Sequence, residues 1–264
     1  MAERAPTVTA IPAFSDNYIW AVHRPGLADC LLVDPGDAGP ALAWCEAHGH
    51  RPVALLITHH HGDHVGGIAA LAARFPGLAV YGPRGERIAG LTARVGEGER
   101  LAFPALGLTL RVLDVPGHTH GHVAYLGEEG SLFCGDTLFS VGCGRVFSGT
   151  FEQLFHSLAR LRELPGETRV YCAHEYTLDN IGFAKWVEPD NANLRAREAE
   201  AHASLDADRP TLPSTLAGER RCNPFLRWDV PAVRAAAERW AGRPLETPLA
   251  VFTALRQWKD RDYD

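Results

Sequence analysis

Over the first two thirds of the chain, apolar positions gather in short runs, each closed by glycine, proline or a polar turn residue. NYIWAV, CLLVDPGD, VALLITH, LAVYGP, LTLRVLDVPGH, HVAYLG, SLFCGD and TRVYCAH all have this form. Such runs read as strands. Between some of them lie AGPALAWCEAHG, VGGIAALAARFPG and TFEQLFHSLARLRELPG. In the last, Phe151, Leu154, Phe155, Leu158 and Leu161 recur at the spacing of one helix face. Strands alternating with helices predict an α/β domain whose helices cover sheet faces.

The pattern changes after about residue 176. Strand signals fade, and DNANLRAREAEAHASL reads as a polar helix. RPTLPSTLAGERRCNPFLRWD reads as a proline-punctuated loop, and VPAVRAAAERWAG and TPLAVFTALRQWKD as two more helices. The expected organisation is therefore a domain over residues 1–175 and a smaller helical domain over 176–264. No internal repeat or low-complexity segment interrupts either.

Composition narrows the class. A chain of 264 residues can close one large core or two small ones. Its formal net charge of −6 argues against a general binder of nucleic acid or anionic membrane. The opening MAERAPTVTAIPAF mixes acid and base without an apolar stretch, so no signal peptide is expected. No apolar run approaches the roughly 20 residues that span a bilayer. The six cysteines form no CxxC pair, and several sit inside apolar runs. They read as buried reduced thiols of a cytoplasmic protein.

Histidine carries the chemistry. VALLITHHHGDH ends an apolar run with His59, His60, His61, Asp63 and His64. Residues i and i+2 of an extended segment point the same way, so His59 and His61 can reach one ion while His60 points elsewhere. Asp63 and His64 then enter from another side, past the turn at Gly62. Three further strand ends supply His118 in PGHTHGH, Asp136 in SLFCGD and His174 in VYCAH. Singly, His118 is an ordinary turn residue and Asp136 an ordinary turn cap. Together they place imidazole and carboxylate, the donors that zinc and similar divalent ions accept, at the carboxyl ends of several strands. Seven donors exceed the four of one tetrahedral zinc. They suit two ions sharing one carboxylate, roughly 3.5–4 Å apart with a hydroxide clamped between them.

The HxHxDH motif, the later histidine, the aspartate of CGDT and the final histidine resemble the metal signature of the metallo-β-lactamase superfamily. Within it, IPAFSDNYIW, THHHGDHVGG, GHTHGH, FCGDTLFSVGCGR, AHEYTLDNIGFAKWVEPDN and NPFLR resemble the glyoxalase II (hydroxyacylglutathione hydrolase) family almost end to end. The resemblance implies an αββα sandwich followed by a helical substrate domain. It implies that His59, His61 and His118 hold one ion, that Asp63, His64 and His174 hold the other, and that Asp136 bridges. Asp63 and Asp136 would be the catalytic acids beside the bridging hydroxide. Asp34 matches an acid that orients ligands, and His122 is a candidate for the same task. His60 and His120 are expected to bind no metal.

For substrate, the resemblance implies Arg145, Tyr176, Arg256 and Lys259, whose cations suit the two carboxylates of glutathione. Two positions depart from the family pattern: Gly62 stands where many relatives carry a bulky residue, and Phe147 where a tyrosine often contacts substrate. The implied reaction is hydrolysis of a glutathione thioester, S-D-lactoylglutathione, with two divalent ions: zinc first, iron or manganese as substitutes. A monomer is expected, with no nucleic-acid or membrane partner. Two alternatives share the fold. A mononuclear-iron glutathione persulfide dioxygenase would leave a second metal position vacant, whereas Asp63, His64 and His174 are all present. A non-catalytic metal-binding member should have lost ligands, and this chain keeps all seven.

Overall fold

The computed structural model describes residues 6–263. They form two compact units, whose stretches of sequence interleave. The first runs to Asp114 and resumes over His120–Gly135. The second comprises Val115–Thr119 and the chain from Asp136 onward.

In the first unit, β1 (Thr7–Ala13), β2 (Asn17–His23), β3 (Asp29–Val33), β4 (Arg51–Leu56), β5 (Ala79–Pro83) and β6 (Ala93–Val95) make one sheet in sequence order. The first three run antiparallel, and β3 to β6 pair in parallel. Parallel neighbours need crossovers. Here these are α1 (Ala38–His48), then α2 (Gly62–Val65) with α3 (Ile68–Arg74). Asp37 caps α1 by accepting the Gly39 amide, and Gly49 closes it in the left-handed conformation. Ala41 and Cys45 of α1 and Ile68 and Leu71 of α3 pack with Leu32, Leu55, Ile57 and Val80 into one core. The sequence pattern named no strand before Asn17. β1 is the sheet's edge, half-buried along much of its length, and it carries Pro12, which an edge strand tolerates.

β7 (Arg100–Phe103), β8 (Leu108–Asp114), β9 (Val123–Gly127) and β10 (Ser131–Gly135) follow as an antiparallel meander. The end of β4 is tied to β9 twice. The buried Tyr125 hydroxyl donates to the Ile57 carbonyl at 2.7 Å, and the Val123 amide donates to the Thr58 carbonyl at 3.0 Å. The segment after β4, where the histidines begin, is thus held from a strand of the other sheet.

From Asp136 the second unit continues with the small hairpin β11 (Leu138–Phe139) and β12 (Gly142–Cys143). Helix α4 (Phe151–Arg162) starts with a capping box between Thr150 and Gln153, and it buries Leu154, Leu158 and Leu161 as its spacing predicts. Then come β13 (Arg169–Cys172), α5 (Thr177–Val187), α6 (Ala192–Leu205) and β14 (Ser214–Thr215), the last antiparallel to β13. α7 (Leu216–Cys222), α8 (Pro231–Ala241) and α9 (Pro248–Trp258) complete the unit. One expectation fails here. The stretch read as a loop over 209–229 contains β14 and α7. Thr215 accepts the Gly218 amide as helix cap, and Leu216, Glu219 and Cys222 face inward. The prolines on either side hid a seven-residue helix too short to show periodicity.

All six cysteines are free and buried, as expected. No helix among the described residues is long and apolar enough to cross a membrane.

Candidate metal centre

At the end of β3 the chain turns at Asp34 with φ of +50°, in the left-handed region. The turn aims its buried carboxylate at the next strand end. One oxygen accepts the Thr58 amide at 2.8 Å, and the other accepts the Thr58 hydroxyl at 2.7 Å. That second oxygen also stands 3.1 Å from His64 Nδ1. His59 is fully buried beyond Thr58, and its Nε2 faces His61 Nδ1 at 3.0 Å. The i, i+2 reading is therefore met. His60 points away, with its ring Nδ1 in close contact with the buried Glu86 carboxylate. Asp63 and His64 sit on the single turn of α2, with His64 Nε2 and Asp63 Oδ2 3.3 Å apart. The His122 ring lies flat against His59, centroids 4.6 Å apart and planes 20° apart.

In the second unit, Asp136 offers its two oxygens in two directions. Oδ2 stands 3.5 Å from His118 Nε2, and Oδ1 stands 3.5 Å from His174 Nε2. His118 Nδ1 lies 2.7 Å from the Arg145 carbonyl. A carbonyl only accepts, so Nδ1 carries the proton and Nε2 is left with the lone pair a metal needs. Gly144 allows this approach. A Cβ there would fall 1.9 Å from the Asp136 carbonyl oxygen and 3.0 Å from His118 Nδ1.

The seven sequence candidates resolve into two groups. His59, His61, His118 and Asp136 each bring one ligand atom within 4.8 Å of the others, and Asp63, His64 and His174 do the same. Nitrogen and carboxylate oxygen are borderline-hard donors that suit zinc, iron and manganese. The donor set and its spacing fit divalent metal ions.

The substrate candidates lie in the second unit. Arg145 is half-exposed, with Nε 3.3 Å from Asp260 Oδ1. The Tyr176 ring stacks on His174 at 4.7 Å and 7°. Arg256 is 1% exposed. It donates to the Cys143 carbonyl at 2.9 Å and pairs with Asp260 at 2.8 Å. Lys259 is also buried, 3.3 Å from Asp179. Both cations come from the end of the last helix, as their spacing implies, and both are already engaged with acids of the fold. Phe147 is 64% exposed, its ring edge-on to His118 at 5.2 Å.

Several supporting residues were assigned no role from the sequence, although Asn17 and Asn223 lie within the motifs IPAFSDNYIW and NPFLR. Asn17, at the start of β2, donates from Nδ2 to Asp63 Oδ2 at 3.0 Å. Glu219 of α7 accepts the amide of Val141 at 2.7 Å, where that β-branched residue is held at φ of +59°, and it also accepts Asn223 Nδ2 at 3.0 Å. Asn223 donates in turn to the Gly142 carbonyl at 2.9 Å, so the turn between Asp136 and Arg145 is fastened from below. Burial pushes the Glu219 carboxyl above the usual range. None of these stands in a ligand-like spacing; only contact in space marks them.

Two family profiles divide the chain between them. The metallo-beta-lactamase superfamily matches residues 18–174, and the hydroxyacylglutathione hydrolase C-terminus matches residues 175–262. A hydroxyacylglutathione hydrolase of Nitrosomonas europaea is 52% identical over 253 residues, covering 96% of this chain and 95% of the relative. Among solved structures, ETHE1 from Myxococcus xanthus shares the fold with a TM-score of 0.67 at 22% identity, over 98% of this chain and 93% of its own. TTHA1623, solved in a di-iron-bound form, is 32% identical with a TM-score of 0.53, over 64% of this chain and 91% of its own.

Proposed function

Because the chain belongs to the hydroxyacylglutathione hydrolase family of the metallo-β-lactamase superfamily, we propose that it is a thioester hydrolase converting S-D-lactoylglutathione to D-lactate and glutathione. One observation carries the reading: seven imidazole and carboxylate donors fall into two groups, and Asp136 turns one oxygen toward a histidine of each.

His59, His61 and His118 would hold one divalent ion and Asp63, His64 and His174 the other, with Asp136 spanning the two. Zinc is the first choice on donor chemistry, with iron and manganese as substitutes; the di-iron form of TTHA1623 supports a pair of ions. Such ions supply a nucleophilic water at neutral pH and a Lewis acid for the thioester carbonyl. The chain supplies the rest. Asp34 and Arg145, the latter through its carbonyl, set the orientation of His64 and His118. His122 packs against His59. Asp63 and Asp136 would be the catalytic acids. The Arg145 guanidinium and the Tyr176 ring would receive a glutathione carboxylate and backbone. Arg256 and Lys259 would complete the glutathione subsite if substrate displaced their contacts with Asp260 and Asp179. Catalysis would reside in residues 1–175 and glutathione recognition in 176–264, a division at which the two family profiles also meet. We assign the enzyme to the cytoplasm as a monomer, acting on a small molecule and on neither nucleic acid nor membrane.

The test is release of free thiol from lactoylglutathione by the purified protein, with metal content measured in parallel. Turnover should vanish with chelator and return with zinc, and a thioester lacking glutathione should react far more slowly. Chelator-resistant turnover, or equal rates on both thioesters, would overturn the assignment.

A further inference from the structure

Glu86 lies outside every motif that marks the centre. It follows β5 in the turn PRGERI, and its side chain is 2% exposed. Its carboxylate joins two segments. Oε2 accepts the His60 amide at 3.1 Å and the His60 ring Nδ1 closely, while Oε1 accepts the Gly121 amide at 3.0 Å. Its own carbonyl is anchored by Arg94 at 2.6 Å. The junction is tight enough to exclude a side chain, since a Cβ on Gly121 would fall 2.6 Å from the Gly85 carbonyl carbon and 2.7 Å from Glu86 Cγ.

The His60 amide belongs to the peptide that links His59 to His60. On the other side of His59, the Thr58 amide is held by Asp34 at 2.8 Å. The two amides flanking His59 are therefore each fixed by a different buried carboxylate. The second carboxylate also holds Gly121, the neighbour of the His122 ring that stacks on His59. We propose that Glu86 is a positioning residue for the metal centre. Its carboxylate clamps the His60 peptide to Gly121, so that His59 and His61 keep the directions an ion requires before any ion arrives. This inference rests on the metal-centre reading above and adds to it a residue that neither the ligand motif nor the spacing of histidines contains.

The test compares wild-type protein with Glu86→Ala and Glu86→Gln, all full-length. Amide hydrogen exchange is measured on the metal-free forms and zinc affinity by chelator competition. In Glu86→Ala, the amides of His60 and Gly121 should exchange about tenfold faster or more by local opening, with β9 amides unchanged. Zinc affinity should fall on the order of 10- to 100-fold, as for other residues that orient ligands. With zinc saturating, kcat should fall while KM for the thioester stays constant. Glu86→Gln keeps one acceptor oxygen, so it should lie between the two. It also serves as the decisive variant should the alanine form not fold. Unchanged exchange at His60 and Gly121 in both variants would overturn the proposal. So would faster exchange that rises uniformly across the protein with a lower unfolding midpoint, since that marks a general loss of stability. Failure of the hydrolase reading looks different: wild-type protein would itself take up no metal or release no thiol, and the exchange data would still decide whether Glu86 clamps the two segments.

Discussion

At the scale of single residues, the centre is as much a matter of what holds each ligand as of the ligands themselves. Asp34 accepts both the amide and the hydroxyl of Thr58, which immediately precedes His59. Thr58→Val keeps the shape and removes one of the two groups facing Asp34 Oδ2, leaving His64 Nδ1 at 3.1 Å, at a cost of about 0.5–1.5 kcal/mol, the net worth of one hydrogen bond. Denaturant unfolding should show the unfolding free energy lowered by that amount, and an unchanged value would rule out the role given to the hydroxyl. Phe147 presents a ring where relatives often carry a tyrosine. Phe147→Tyr adds one hydrogen-bonding group at an exposed position beside His118. It should lower KM for the glutathione thioester by up to about tenfold, the value of one net hydrogen bond, without raising kcat. A higher KM would show that the apolar ring itself is what the substrate needs. Four of the candidate donors could be read from sequence because HxHxDH is local. Asn17, Glu86 and Asp34's exact partners could not, because their contacts join positions 46, 26 and 24 residues apart.

At the scale of elements, legibility followed length. Helix α4 has twelve residues, a capping box and an apolar stripe, and Leu154, Leu158 and Leu161 bury as the spacing requires. Leu158→Ala should cost about 2–5 kcal/mol through lost contact and the cavity left behind, read as a loss of unfolding free energy. A cost below 1 kcal/mol would mean that the helix packs loosely. Helix α7 has seven residues between prolines, too few for a period to emerge. Its inward face nevertheless carries Glu219, on which the Val141 turn depends. A non-glycine, β-branched residue at positive φ persists only where surrounding contacts over-determine it. Glu219, Asn223 and Asn180, the last donating to the Ser140 carbonyl at 3.1 Å, supply those contacts.

At the scale of the whole molecule, Glu219 leaves a signature in stability against pH. Burial raises its pKa in the folded state above the unfolded value, so the folded protein binds that proton more tightly. The resulting stability is fully present below the unfolded pKa and is lost as pH rises through the raised one. Glu219→Gln, which cannot ionise, removes that dependence. The difference in thermal midpoint between variant and wild type should move in the variant's favour as pH climbs from the acid range toward neutrality. A difference that stays flat with pH would show that the carboxyl titrates alike in the folded and unfolded chain, and a shift in favour of wild type would show that the fold holds it ionised. Net charge belongs to this scale as well. The overall charge is −6, and at the end of the last helix Arg256 and Lys259 are each paired with an acid, so neither the whole surface nor that helix end presents a net positive field.

The sequence alone supplied the candidate donor types and the strand ends that carry them, because imidazole and carboxylate next to apolar runs leave a local trace, and its motifs carried the resemblance to the family. Alternation of apolar runs with helical stripes likewise determined the α/β character and the change of texture near residue 176. Only the tertiary structure decided how the donors sort into two groups, that Asp136 offers one oxygen to each, and that Arg256 and Lys259 are buried among acids. The reason is physical: hydrogen bonds and burial depend on which distant segments meet. A carboxylate such as Glu86 reads in sequence as an ordinary surface charge until the fold closes over it.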